Sequence, residues 1–201
     1  MTFQSFSINY DYRCPYARNL NEYAVEALRL GVPYEIKFVP FNLSQVHVEE
    51  GAPPIWDDPE MIPILMANEI GYIVSQLAPD RFLDVHLALF SLRHDEAKNL
   101  KDRDEVTKIL VTQGVDASKV FDAFDSRRFS NLVRELHEDQ VDRLQVFGVP
   151  TLFHGQTAAF VRIMERPSQS EKSVVSVLDR VIEQVFEHSE LNEIKHTSLD
   201  R

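Results

Sequence analysis

The chain has 201 residues, 44% of them hydrophobic, enough for one moderate domain or for a domain with a sizeable insertion. Its net charge of -11 argues against partners such as nucleic-acid phosphates or anionic membrane surfaces. Its apolar runs fall far short of the roughly 20 residues of a membrane span, and one cysteine, Cys14, excludes an intrachain disulfide.

Met1 to Tyr10 carry no basic residue and no long apolar region, so no signal peptide is expected and the cytoplasm is the expected location. Phe3 to Tyr10 alternate with period two and predict a strand. From Pro15 the period changes. Tyr16, Leu20, Tyr23, Ala24, Ala27 and Leu28 fall at helical spacing. Pro15 suits the first turn of that helix, and Gly31 followed by Val32-Pro33 suits its end. Tyr34, Ile36, Phe38 and Phe41 predict a second strand, far enough on for a parallel crossover.

The texture then becomes helical from about Asp57 to Gln145. Asp58-Pro59 reads as a cap and first-turn proline, continued by Ile62, Leu65, Met66, Ile70 and Ile73, with Gly71 a weak spot. Further helices are predicted over Pro79–His94, Asp104–Gly114, Ala117–Phe124 and Ser130–Leu144. Strand signals return at Gly148–Phe153 and Ala158–Met164, joined by the turn-like His154-Gly155 as a hairpin. Ser168 is the expected cap of a last amphipathic helix carrying Val174, Leu178, Ile182 and Val185. Beyond Phe186 the chain is polar and expected to fray.

The order is therefore β-α-β, a helical insertion, then β-β-α. Cys14-Pro15-Tyr16-Ala17 opens the first helix, and Val149-Pro150-Thr151 precedes the hairpin. With those motifs in that order, the chain resembles the DsbA-like branch of the thioredoxin superfamily over nearly its full length. It is most similar to bacterial cytoplasmic members with a Cys-Pro-aromatic-Ala site. The resemblance implies an α/β thioredoxin fold with an all-helical insertion domain. Residues 1–56 and 146–190 would form the discontinuous thioredoxin-like domain, 57–145 the insertion and 191–201 a polar tail. It also implies that Pro150 is a cis-proline facing Cys14. Backbone groups of Val149 and Thr151 beside it would then bind an extended substrate, with Pro15 and Tyr16 completing the binding surface. The same branch holds kappa-class glutathione transferases and 2-hydroxychromene-2-carboxylate isomerases, in which a serine usually takes the cysteine's place.

Cys14 is the expected nucleophile. A helix N-terminus favours a thiolate, and Arg13 and Arg18 add positive charge if they point inward, against Asp11. A depressed pKa is expected. Ala17 cannot resolve a mixed disulfide, so the second thiol must come from outside the chain. No tightly bound cofactor is expected, and a low-molecular-weight thiol such as glutathione or mycothiol is the expected cosubstrate. A small thiol or a protein disulfide is the expected substrate, and the protein is a monomer or homodimer. A thiol-dependent transferase or isomerase, or a non-catalytic binding module, are the alternatives.

Tyr12 either lines a substrate groove or lies on the surface of a strand. Arg162 and Arg166 are surface residues that can hold a carboxylate of a small thiol, Arg162 being the choice for cofactor binding. Trp56 anchors a loop or caps the groove. His86 and His94, eight apart, do not make a paired ligand set, and His94-Asp95-Glu96 reads as a solvated helix end. No metal site is expected.

Overall fold

A computed structural model describes residues 5–167 and 170–196. Phe3 and the expected cap Ser168 lie outside them. Strand β1 (Ser5–Tyr10) buries Phe6, Ile8 and Tyr10 on one face, as the alternation requires. Helix α1 (Pro15–Arg29) starts with Pro15 and carries Cys14 as its N-cap. It ends in a Schellman motif: Gly31 has φ +76°, its N–H donates to Leu28 O, and Val32 N–H donates to Ala27 O. The chain returns as β2 (Glu35–Pro40), parallel to β1 with Ser5 opposite Glu35 and Tyr10 opposite Pro40.

Next comes a short helix α2 (Leu43–Val46), which the sequence pattern does not announce. Asp58 accepts a hydrogen bond from Glu60 N–H, but the turn it caps, Pro59–Met61, is 3₁₀ and leads into α3 (Ile62–Leu77). The block continues with α4 (Pro79–His94), α5 (Arg103–Thr112), α6 (Ala117–Asp125) and α7 (Ser130–Leu144). Asp102 and Asp116 cap α5 and α6 with their side chains.

Strands β3 (Thr151–His154) and β4 (Thr157–Phe160) form an antiparallel hairpin, and β3 runs antiparallel to β1. The sheet order is β2-β1-β3-β4. The expected strand to Met164 stops at Phe160. Beyond it the chain crosses α1, where Asn19 donates to Ile163 O at 2.9 Å and Tyr23 donates to Arg166 O at 3.4 Å. Asn19 of α1 thus takes a carbonyl that the expected strand would have paired. Helix α8 (Glu171–Glu187) follows, and residues 188–196 are exposed.

Helices α1 and α8 cover one sheet face, where Leu20, Ala24, Leu178 and Ile182 pack with Phe6 and Ile8. A second core joins Tyr10, Tyr12, Cys14 and Phe41 to Met66, Ile70, Leu89 and Phe90 of the helical block. Tyr12 is fully buried there, not on a strand surface. Its ring lies over Gly71, where a Cβ would fall on the Tyr12 hydroxyl. The weak spot in α3 is thus the gap that admits Tyr12.

The Tyr12 hydroxyl meets His86 Nδ1 at 2.8 Å, and His86 Nε2 meets Asn21 Oδ1 at 3.0 Å. The Asn21 amide nitrogen is committed to Ala17 O at 2.7 Å, so its oxygen faces His86 and accepts. Nε2 therefore carries the imidazole proton, and Nδ1 accepts from Tyr12. Burial drives the His86 pKa down to about 3. His137, its ring centroid 4.2 Å from that of Phe41, is driven down to about 4, chiefly by burial.

Two outcomes follow for stability. Gly71→Ala should lower the thermal midpoint, although alanine gains up to about 1 kcal/mol in helix propensity, because overpacking costs roughly 1–3 kcal/mol. An unchanged or raised midpoint would contradict the Tyr12 packing. Both histidines are neutral when folded and protonate when unfolded below about pH 6.5, so stability falls as pH drops from there toward 4. The slope is about 1.4 kcal/mol per pH unit for each histidine. Urea unfolding at pH 7 and pH 5 should show the loss, and His137→Gln should reduce it.

Candidate functional site

The site is built on the turn that joins β1 to α1. The buried Asp11 carboxylate accepts from Arg13 N–H (3.0 Å), Arg13 Nε (3.0 Å), Arg13 Nη2 (2.6 Å) and Leu43 N–H (3.0 Å). Asp11 O accepts from Cys14 N–H at 2.9 Å. The helical block grips the same turn. Asn68 Oδ1 accepts from Tyr12 N–H at 3.2 Å, and His94 Nε2 lies 3.0 Å from Tyr12 O. The backbone of Cys14 is thereby fixed in an extended conformation, φ -92° and ψ 119°.

Cys14 Sγ accepts from Ala17 N–H at 3.5 Å and lies 3.4 Å from Val149 O, to which its S–H donates. The Val149–Pro150 peptide bond is cis. Its loop is tied to β1 through Asn9, whose Oδ1 accepts from Thr151 N–H at 2.6 Å and whose amide donates to Gly148 O at 3.3 Å. The Asn9 amide also donates to Gln140 Oε1 at 3.0 Å, which brings α7 against this face of the sheet. Thr151 Oγ1 donates to Gly148 O at 2.9 Å. Cys14, Val149 and the Pro150 loop are thus brought together. Pro15 is exposed and Tyr16 half-buried, both at the mouth of the site.

The arginines differ from expectation. Arg13 is folded onto Asp11 and Ser44 Oγ (2.6 Å). Arg18 pairs with Glu22 at 2.8 Å and Asp95 at 2.5 Å. Neither turns toward Cys14. Arg166 joins that network through Glu22 at 2.8 Å and Asp95 at 3.4 Å, so it is a structural partner and not a free anion site. His94-Asp95 is likewise bound into the fold, and Arg18 holds the Asp95 carboxyl below its ordinary range.

The cation that does reach the thiol's field is Arg162. Its guanidinium carbon stands 4.6 Å from the Tyr16 ring centroid and 5.5 Å from that of Phe160. Its attraction is not enough. Burial pushes the Cys14 thiol up, while the N–H groups of Ala17 and Tyr16 pull it down, Asp11 raises it and Arg162 lowers it. The expected depression of the thiol pKa is therefore overturned, because Cys14 is only 8% exposed and the two arginines beside it in sequence face away.

Several residues that build the site escaped the sequence reading. Asn9, Asn21 and Gln140 are fully or almost fully buried polar groups with long-range partners. Only Asn9 left a trace, as a polar residue near the end of an apolar strand. Trp56 packs against His137 with ring centroids 5.3 Å apart, which anchors its loop. Among the described residues no three of His, Cys, Asp or Glu gather as a metal site, and no helix is long and apolar enough to cross a membrane.

Comparison with known proteins bears on the whole arrangement. A 2-hydroxychromene-2-carboxylate isomerase structure superposes with a TM-score of 0.62 at 15% identity, covering 92% of this chain and 100% of that one. DsbA from Pseudomonas aeruginosa gives 0.55 at 18% identity, covering 93% and 86%. MdbA, a thiol-disulfide oxidoreductase from Actinomyces oris, gives 0.60 at 17% identity, covering 88% and 80%. At these identities the likeness carries the fold alone. No curated protein matches the chain in sequence. A family model described as a DSBA-like thioredoxin domain matches residues 7–171, and the chain therefore belongs to that family.

Proposed function

We propose that the protein is a thiol-disulfide oxidoreductase that works with one protein sulfur, Cys14, and a second sulfur supplied by a small thiol. The observation that carries this reading is the seat of Cys14. The only cysteine of the chain caps α1 and lies 3.4 Å from the carbonyl of Val149, beside the cis peptide bond to Pro150. Ala17 stands where a resolving cysteine would be, close enough for its N–H to donate to Sγ.

The cycle has two exchanges. The Cys14 thiolate attacks one sulfur of R–S–S–R′, the S–S bond breaks, and R′–S⁻ leaves with the bonding pair as Cys14–S–S–R forms. The thiolate of an external thiol then attacks the R sulfur, expelling Cys14 as thiolate and forming a new disulfide. Glutathione or mycothiol has the required chemistry, and a reducing compartment such as the cytoplasm would supply it. The Ala17 and Tyr16 amides favour the leaving thiolate in the second exchange. Pro15, Tyr16, Val149 and Thr151 would line the bound substrate, with Arg162 meeting its charge.

One observation favours a second reading. Burial keeps Cys14 a protonated thiol at neutral pH, with its S–H engaged by Val149 O. A thiol held in this way can donate a hydrogen bond to the thiolate of a bound cofactor, the role a hydroxyl could fill equally well in a transferase or isomerase.

Intact mass after incubation with glutathione disulfide or mycothiol disulfide separates the two readings. The first expects a one-to-one adduct on Cys14, released by free thiol and absent in Cys14→Ser. Thiol-dependent activity that survives Cys14→Ser would support the second reading and sink the first. Alkylation of Cys14 should accelerate with rising pH, with its midpoint above the ordinary cysteine value of about 8.5. Arg162→Gln should move that midpoint higher still, since Arg162 favours the thiolate.

A further inference from the structure

Beside Cys14 four side chains form a continuous strip. Tyr16 stacks on Arg162, Arg162 reaches Phe160, and the Phe160 ring lies 5.3 Å from that of Phe147. We propose that this strip makes Cys14 selective for small disulfides and thiols that carry a carboxylate next to an aromatic ring. The inference rests on Cys14 as nucleophile and names the substrate class of that site.

Arg162 supplies the acid preference. In a chain of net charge -11, Arg13, Arg18 and Arg166 around the site are all paired with carboxylates. Arg162 is exposed, and among the described residues no carboxylate pairs with it. Its guanidinium carbon lies against aromatic rings instead, and its N–H donors suit a planar acid. It is also the cation whose charge Cys14 feels.

Phe147 supplies the aromatic preference. It is 67% exposed, a large apolar ring in solvent directly before Gly148 and the Pro150 loop. A ring placed on Phe147 and Phe160, with its acid at Arg162, lies along the wall that leads to Cys14. A small molecule fits better than an extended peptide. Thr151 N–H donates to Asn9, and Val149 O accepts the Cys14 S–H hydrogen bond, so two main-chain groups flanking Pro150 are already engaged. Recognition is left to side chains.

Four disulfides test the assignment: 5,5′-dithiobis(2-nitrobenzoate) (ring and acid), 4,4′-dithiodipyridine (ring only), dithiodiglycolate (acid only) and hydroxyethyl disulfide (neither). In each case Cys14 attacks one sulfur, one half of the probe remains as a mixed disulfide, and the other leaves as its thiolate. The rate of adduct formation is read by intact mass in wild type, Arg162→Gln, Arg162→Lys and Phe147→Ala. The variant-to-wild-type ratio is compared between probes, which cancels any change in the acidity of the shared nucleophile. Arg162→Gln should slow the two acids about 5- to 10-fold more than the acid-free pair, an effect weakened by 0.5 M salt and only partly restored in Arg162→Lys, which keeps the charge but not the planar fork. Phe147→Ala should slow the two aromatic probes about 5-fold more than the aliphatic pair. Equal ratios across all four probes would overturn the strip's role while leaving Cys14 as nucleophile. No adduct with any probe would overturn the parent reading itself. Both side chains are exposed, and unchanged thermal midpoints verify that the variants fold.

Discussion

The site hangs on a buried carboxylate. Asp11 has almost no solvent contact, and an ionised carboxylate so placed is tolerated only when its oxygens are taken up by donors. Arg13 supplies charge and three of those donors, and Leu43 N–H supplies another from beyond β2. The result is a rigid turn with its own carbonyl offered to Cys14 N–H. Every later feature, from the cap geometry of α1 to the approach of Sγ to Val149, inherits its position from this clamp. The same clamp has an electrostatic cost at the thiol, since Asp11 disfavours the thiolate.

Cys14 therefore sits between opposing influences. Helix-end amides and Arg162 favour ionisation, while burial and Asp11 oppose it, and burial is the largest. A disulfide or cofactor that approaches the thiol changes this balance at its source. On the proposed reading, such a molecule would bring its own charge to Arg162.

Much of the architecture was legible in sequence because it is local. The change of period at Pro15 and the glycine at position 31 each encode a helix end through backbone chemistry. The pairing of Cys14 with Pro150 came from the family resemblance that their flanking motifs carry. What escaped was set by contacts across the chain. Tyr12 is buried where His86, 74 positions away, accepts a hydrogen bond from its hydroxyl. Gly71 reads as a flaw in a helix until the ring packed over it is known. The directions of Arg13 and Arg18 depend on which carboxylates the fold brings near. The end of β4 depends on Asn19 of α1 capturing the Ile163 carbonyl. Periodicity carries no information on any of these.

The bond between Asn9 and Thr151 has a consequence for how the protein comes into being. Its partners are 142 positions apart, yet it closes the loop that faces the thiol. On a ribosome, Cys14 emerges early and the residues that shelter it emerge late. Until the late residues arrive, the sulfur lacks the Val149 carbonyl and the Pro150 loop that face it in the folded chain. The shelter closes only once Thr151 has been made, 142 positions after Asn9.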